Sequence, residues 1–171
     1  LRIRKDDPTI IYFHNGPSLI NDGQFCNNST IIKFVFPISV TTIGQKAFDG
    51  CTSLKEIVFN PFLSTIKSYA FNKCTSLSKF IIPPLVSSIQ DHTFSNCTSI
   101  THTVIPTSIT SIGAYAFSGC TSIKHITIPS TVKLVQQYAF SECYSLKKII
   151  IDVDSTKVEE KAFDECSKEC H

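Results

Sequence analysis

No uninterrupted apolar run in the chain approaches the ~18 residues of a membrane-spanning helix, so no transmembrane segment is expected. The opening stretch LRIRKDDPTIIYF also lacks the long apolar segment and small-residue cleavage site of a secretory signal. Charge is sparse: Asp, Glu, Lys and Arg make up 18% of the 171 residues, and the net charge of +2 is too small to argue for nucleic acid. A convergent set of nucleophile, base and orienting group is missing too, because the Ser, His and Asp residues fall in separate columns or on opposite faces. An enzyme is therefore not expected. What remains is 42% hydrophobic, an ordinary content for one folded domain.

What the chain does contain is a period. CTSL begins at Cys51 and Cys74, CTSI at Cys97 and Cys120, and the interval is 23 residues each time. Cys143 and Cys166 extend the series, whereas Cys26 and Cys170 lie outside it. Phe25, Phe48, Phe71, Phe94, Phe117, Phe140 and Phe163 keep the same interval without insertion or deletion. A fixed period of this length is the mark of a solenoid, in which each copy buries its apolar face only by stacking on its neighbours.

Within a copy, alternating apolar residues such as Ile123, Ile126 and Ile128 predict a strand. Parallel strands are expected near 11–13, 34–36, 57–59, 80–82, 103–105, 126–128 and 149–151. Pro37, Pro83, Pro106 and Pro129 follow the strand and turn the chain, with Asn60 and Asp152 at the same corner. Pairs such as Val86 and Ile89, or Ile109 and Ile112, suit a second short extended run. GAYAFSGC and KSYAFNKC read as a compact helical or 3-10 turn. The Cys corner asks for a small buried group, and Asn28 takes its place in the first copy.

Aligned in this way, CTSIKHITIPSTVKLVQQYAF and CTSITHTVIPTSITSIGAYAF resemble the BspA-type leucine-rich repeats, over essentially residues 9 to 166. Phe62, Leu85, Ser108 and Thr131 stand where the general leucine-rich pattern carries Asn or Cys, which favours the BspA-type subclass. The resemblance implies an α/β leucine-rich-repeat solenoid of about seven coils, with parallel strands on one face and short second strands and helical turns elsewhere. A single domain over 1–171 is expected, with a flank at 1–8, repeats at 9–166 and a tail at 167–171. No amphipathic helix covers the last coil, so either the repeat continues or the end associates with another chain. The family resemblance further implies a non-enzymatic recognition module or surface adhesin.

The outward strand column of Tyr12, Val35, Val58, Ile81, Val104, Thr127 and Ile150 is almost wholly apolar. β-Propensity alone accounts for such residues, but a continuous apolar stripe with a polar rim also marks a binding surface. Beside it lie Lys33, Glu56, Lys79, His102, His125 and Lys148, with Lys55, Lys124 and Lys147 one residue earlier. The carboxylates gather at the far side of the coil, at Asp49, Asp91, Glu142, Glu159, Glu160, Asp164 and Glu165. Such a separation favours an acidic or extended protein partner, although a merely solvated lysine face has the same composition. A ladder of Thr52, Thr75, Thr98 and Thr121 offers the alternative of a structural or self-assembling surface.

The cysteine column predicts buried, reduced thiols, because parallel side chains at strand spacing hold their Cβ atoms beyond the ~3.8 Å of a disulfide, and a single file of ligands does not make a tetrahedral zinc site. Cys166, Cys170 and His171 form a weak terminal cluster, and no cofactor is expected. Asn27, Asn28 and Asn96 head N-glycosylation patterns. Unpaired cysteines favour the cytoplasm, whereas the family resemblance implies a cell surface.

Overall fold

Only an extended backbone turns both Ile126 and Ile128 inward, and both are buried in the computed structural model, which describes residues 2–4, 7–12 and 16–166. After β1 (Arg2–Arg4), the front of the solenoid carries β2 (Asp7–Tyr12), β4 (Lys33–Val35), β6 (Glu56–Val58), β10 (His125–Ile128) and β12 (Lys148–Ile151). The back carries β3 (Leu19–Ile20), β5 (Thr42–Ile43), β7 (Thr65–Ile66), β8 (Ser88–Ile89), β9 (Ser111–Ile112), β11 (Leu134–Val135) and β13 (Lys157–Val158). Among the described residues, the repeat strands that pair do so in parallel, and only β1 runs antiparallel, against β2. The result is a parallel-strand β-solenoid of about six turns. The expected seven coils become about six turns because the seven back strands mark stations, with one turn between each station and the next.

Between the two strand columns the proline corner closes by a tight turn. Val40 N–H donates to Pro37 O at 3.1 Å, and the same bond recurs from Val86 to Pro83, Ile109 to Pro106 and Val132 to Pro129. Proline suits this place because its fixed φ starts the turn and the amide it lacks has no ladder to serve.

The Ala-Phe segments are not helical; the described residues contain no helix. Tyr69 and Lys73 both have positive φ, at 62° and 56°, as do their counterparts in neighbouring coils, and a left-handed residue every fourth position stops helical propagation. Alternate amides then serve two directions. Ala70 and Asn72 donate back within the turn, to Lys67 and Tyr69, whereas Tyr69, Phe71 and Lys73 donate to Asp91, Thr93 and Ser95 of the next coil. Equivalent inter-coil bonds run from Phe25 through Phe140, so this corner is the unbroken spine of the solenoid.

The front ladder, by contrast, is interrupted. Neither 80–82 nor 103–105 forms the expected strand, and only an isolated bridge joins Glu56 to Lys79. Thr103 stands in the inward column where Ile57 and Ile126 are buried, and a hydroxyl gains nothing from that apolar layer. On the back, β7 and β8 likewise do not pair with each other, dividing the column into β3-β5-β7 and β8-β9-β11-β13. The core continues through both breaks: the Phe rings from Phe25 to Phe163 stack at centroid distances of 5.0 to 5.6 Å. The inner rings, Phe48 to Phe140, are fully buried, and each such burial contributes roughly 2–3 kcal/mol.

Candidate protein-recognition face

The front strands set the geometry of the expected site. Backbone register aligns Tyr12 with Val35, Val35 with Val58, and Thr127 with Ile150. Outward placement leaves Val58 39%, Ile81 84%, Val104 80% and Ile150 50% exposed, whereas Val35 is half-buried. Ile81 and Val104 are the most exposed because they lie on the coils that have left the ladder. The apolar stripe is therefore present but broken by steps rather than flat.

Charge on this face is one-sided. Lys55, Lys79, Lys124, Lys147 and Lys148 are exposed, as are His102 and His125. Glu56, the one acid beside the described part of the stripe, takes a 2.8 Å ion pair from Lys33, its register neighbour, so Lys33 does not stand apart as a free cation. His125 is registered against Lys148. His102 sits within 3.1 Å of Thr101 Oγ1, and no ladder brings it to His125, so the two imidazoles do not form a pair of ligands. Asp91, Glu142, Glu160, Asp164 and Glu165 are exposed at or beside the Ala-Phe corner. Where the front ladder opens, a cleft of about 260 Å³ lies between the coils, walled by Val58, Phe59, Phe80 and Ile81.

The cysteine column has a different role. Cys51, Cys74, Cys97, Cys120 and Cys143 are buried, Cys166 is half-buried, and none is in a disulfide. Each thiol donates to the carbonyl of the Phe one coil back, from Cys51 to Phe25 at 3.0 Å through Cys166 to Phe140 at 3.2 Å. Burial pushes the Cys51 and Cys120 thiols up to about 12, and holds Cys74 and Cys97 well above the usual value. Protonated thiols are neither nucleophiles nor metal ligands. Asn28, at the same station, uses Oδ1 to accept the N–H groups of Thr30 and Ile31, both at 2.9 Å. Of the other two glycosylation-pattern asparagines, Asn27 and Asn96 are exposed. Among the described residues no cluster of three or more His, Cys, Asp or Glu could hold a metal, and Cys170 and His171 lie outside those residues. Nor is any described helix long and apolar enough to cross a membrane.

With this geometry, the family model for the BspA type Leucine rich repeat region matches residues 18–110 and 87–170, in six copies. The chain belongs to the BspA-type leucine-rich repeat family. Its fold is similar to that of a solved leucine-rich repeat protein of T. pallidum, at 32% identity and a TM-score of 0.74, covering 77% of this chain and 62% of that one. It also resembles a leucine-rich repeat protein from Bacteroides ovatus, at 28% identity and a TM-score of 0.68, over 90% of this chain and 38% of the other. A leucine-rich repeat protein from Eubacterium ventriosum, at 24% identity, shares the fold with a TM-score of 0.77, over 93% of this chain and 46% of its own. The chain thus spans less than two thirds of each of these structures. No curated protein matches it.

One column of these BspA-type repeats, and the bonding role of one corner residue, appear only in the structure. Tyr69, His92, Tyr115 and Tyr138 stack at 4.4, 4.7 and 4.9 Å, and Lys46 and Lys161 lie over the two end rings. The 23-residue spacing of these ring residues is the signal that the sequence carries, and the structure adds the positive φ that they share. Asn60, placed by the sequence at the corner, is buried. It donates from Nδ2 to Pro37 O and Val40 O at 2.7 and 2.8 Å, and its Oδ1 accepts Phe62 N–H, tying one BspA-type corner to the previous one.

Proposed function

We propose that this repeat region is a non-enzymatic protein-recognition module whose front face binds an acidic or extended region of another protein, as a surface adhesin would. The observation that carries the reading is the alignment of exposed Val58, Ile81, Val104 and Ile150 beside exposed Lys55, Lys79, Lys124, Lys147 and Lys148, with Glu56 occupied by Lys33. Exposed apolar side chains in file supply affinity when a partner covers them, and the one-sided charge supplies orientation and association rate. The buried, protonated thiols favour the same reading, since they give the cysteine column a structural role in place of a chemical one.

The alternative of a water-ordering or self-assembling threonine surface has less support. Thr75 Oγ1 donates to Thr52 O at 3.5 Å and Thr98 Oγ1 to Thr75 O at 3.2 Å, so these hydroxyls are turned to neighbouring coils instead of outward.

The test is binding of a partner recovered by crosslinking from the native source. Replacing Val58, Ile81 and Val104 together by serine is expected to weaken binding about tenfold or more without loss of fold. Lys79→Glu with Lys148→Glu is expected to slow association, most at low salt. A partner that binds parent and both variants alike, with the same salt dependence, overturns the reading.

A further inference from the structure

The front ladder opens at a definable point. Ile57 N–H donates to Lys79 O at 2.9 Å and Lys79 N–H to Lys55 O at 3.2 Å. One coil earlier the chain continues in register, with Phe36 N–H on Val58 O at 2.9 Å. The equivalent bond from Phe59 to Ile81 is absent among the described residues, and the two segments diverge around the cleft of about 260 Å³. Val58 and Phe59 form one wall, Phe80 and Ile81 the other, and Glu56 and Lys79, bridged through their backbones, close one end.

Size and lining limit the occupant. A cavity of about 150 Å³ holds a benzene ring, so this cleft admits one aromatic or branched side chain and is too small for a cofactor. The two charges at the closed end are not equivalent. Glu56 is neutralised by Lys33 at 2.8 Å, whereas Lys79 is exposed and has no ion pair among the described residues. An apolar side chain entering here therefore brings its neighbouring residue beside an unmatched cation.

We infer that the cleft between β6 and the following coil is the anchor pocket of the front face, taking one large apolar side chain, aromatic or leucine-like, from a partner segment whose adjacent residue is Asp or Glu and pairs with Lys79. The inference rests on the reading of the front face as a recognition surface, and names the partner chemistry at one place on it. The apolar anchor loses its water on entry and carries the affinity; the carboxylate sets register.

The test is a methyl NMR titration of the intact chain, labelled at Ile, Leu and Val, with three blocked tetrapeptides: acetyl-Asp-Phe-Glu-Asp-amide, its lysine counterpart acetyl-Lys-Phe-Lys-Lys-amide, and the anchorless acetyl-Asp-Ala-Glu-Asp-amide. The first is expected to shift the Val58 and Ile81 methyls saturably, with Kd on the order of 1 mM, and the others at least about fivefold more weakly. Ile81→Ser, at a side chain 84% exposed and so without consequence for folding, is expected to lose that binding, as is Lys79→Glu for the acidic peptide. Equal binding of acidic and basic peptides overturns the inference. Saturable shifts at Val104 and Ile150 alone overturn the pocket and leave the front-face reading standing. Shifts at no front-face methyl overturn both.

Discussion

The Cys97 thiol donates to the carbonyl oxygen of Phe71, one coil back, at 3.1 Å, and the same oxygen accepts the Cys74 N–H of its own turn at 3.3 Å. One carbonyl thus closes a turn and joins two coils. The periodic cysteine is a small side chain with a donor at its tip, and the station selects for both properties.

Cys97→Ala removes the sulfur and its hydrogen bond from a fully buried site, and is expected to cost about 1–2 kcal/mol in urea unfolding. Cys97→Ser keeps a donor facing Phe71 and is expected to cost less than alanine. If serine proves as damaging as alanine, the hydrogen bond contributes nothing and packing alone explains the column.

Alkaline pH should weaken the fold. Cys120 has a reference value of 9.0 and is pushed by burial to about 12 in the folded chain. As pH rises past 9.0 the unfolded thiol loses its proton while the folded one keeps it, so stability is complete below that point and falls on the way to about 12. The full separation corresponds to roughly 4 kcal/mol. Urea midpoints measured across this window are expected to fall with pH, and less steeply in Cys120→Ala; identical slopes would remove the claim.

Acid should act through His92, which stacks between Tyr69 and Tyr115 at 4.4 and 4.7 Å. Burial lowers its pKa below the ordinary 6.5, and Asp91 opposes that shift. The folded chain therefore holds this proton less tightly than the unfolded chain. Its contribution is present above 6.5 and is lost as pH falls through the folded value. His92→Tyr fits a backbone conformation already borne by Tyr69, Tyr115 and Tyr138, and is expected to flatten the acid limb of Tm against pH. An unchanged limb would assign acid sensitivity to other groups.

Two glycines should respond differently to alanine. A Cβ on Gly113 would lie 2.5 Å from Asp91 Oδ1 and 2.7 Å from Asp91 N, so Gly113→Ala is expected to cost about 1–3 kcal/mol, and shortening Asp91 should not relieve the backbone clash. At Gly119 the clash is with Asn96 Oδ1, at 2.6 Å, and Asn96 Cα is 3.5 Å away. Its φ of 71° lies in the left-handed region that non-glycine residues Lys73 and Glu142 adopt at the same station, at 56° and 58°, so Asn96→Ala should rescue most of Gly119→Ala. A double-mutant cycle at each pair measures the difference. Rescue at Gly113, or none at Gly119, would contradict the geometry.

The amino-acid sequence by itself determined which residues lie above one another. A 23-residue interval kept without insertion leaves Phe25 to Phe163 and Cys51 to Cys166 no other arrangement than columns, and apolar columns must be buried by stacking. The front and back strands at Ile126, Ile112 and their counterparts follow from alternation within a copy. How closely the coils approach is decided only in three dimensions, because each inter-coil hydrogen bond depends on the residues packed beneath both partners. Thr103 in an apolar layer loosens the front of its coil while Phe94 N–H still bonds Ala116 O at the opposite corner. The same dependence opens the cleft beside Lys79, stacks His92 on two tyrosines, and replaces the expected helical turn by left-handed residues whose neighbouring amides reach the next coil. A period records order along the axis; spacing between coils comes from the balance of packing and hydrogen bonds at each interface.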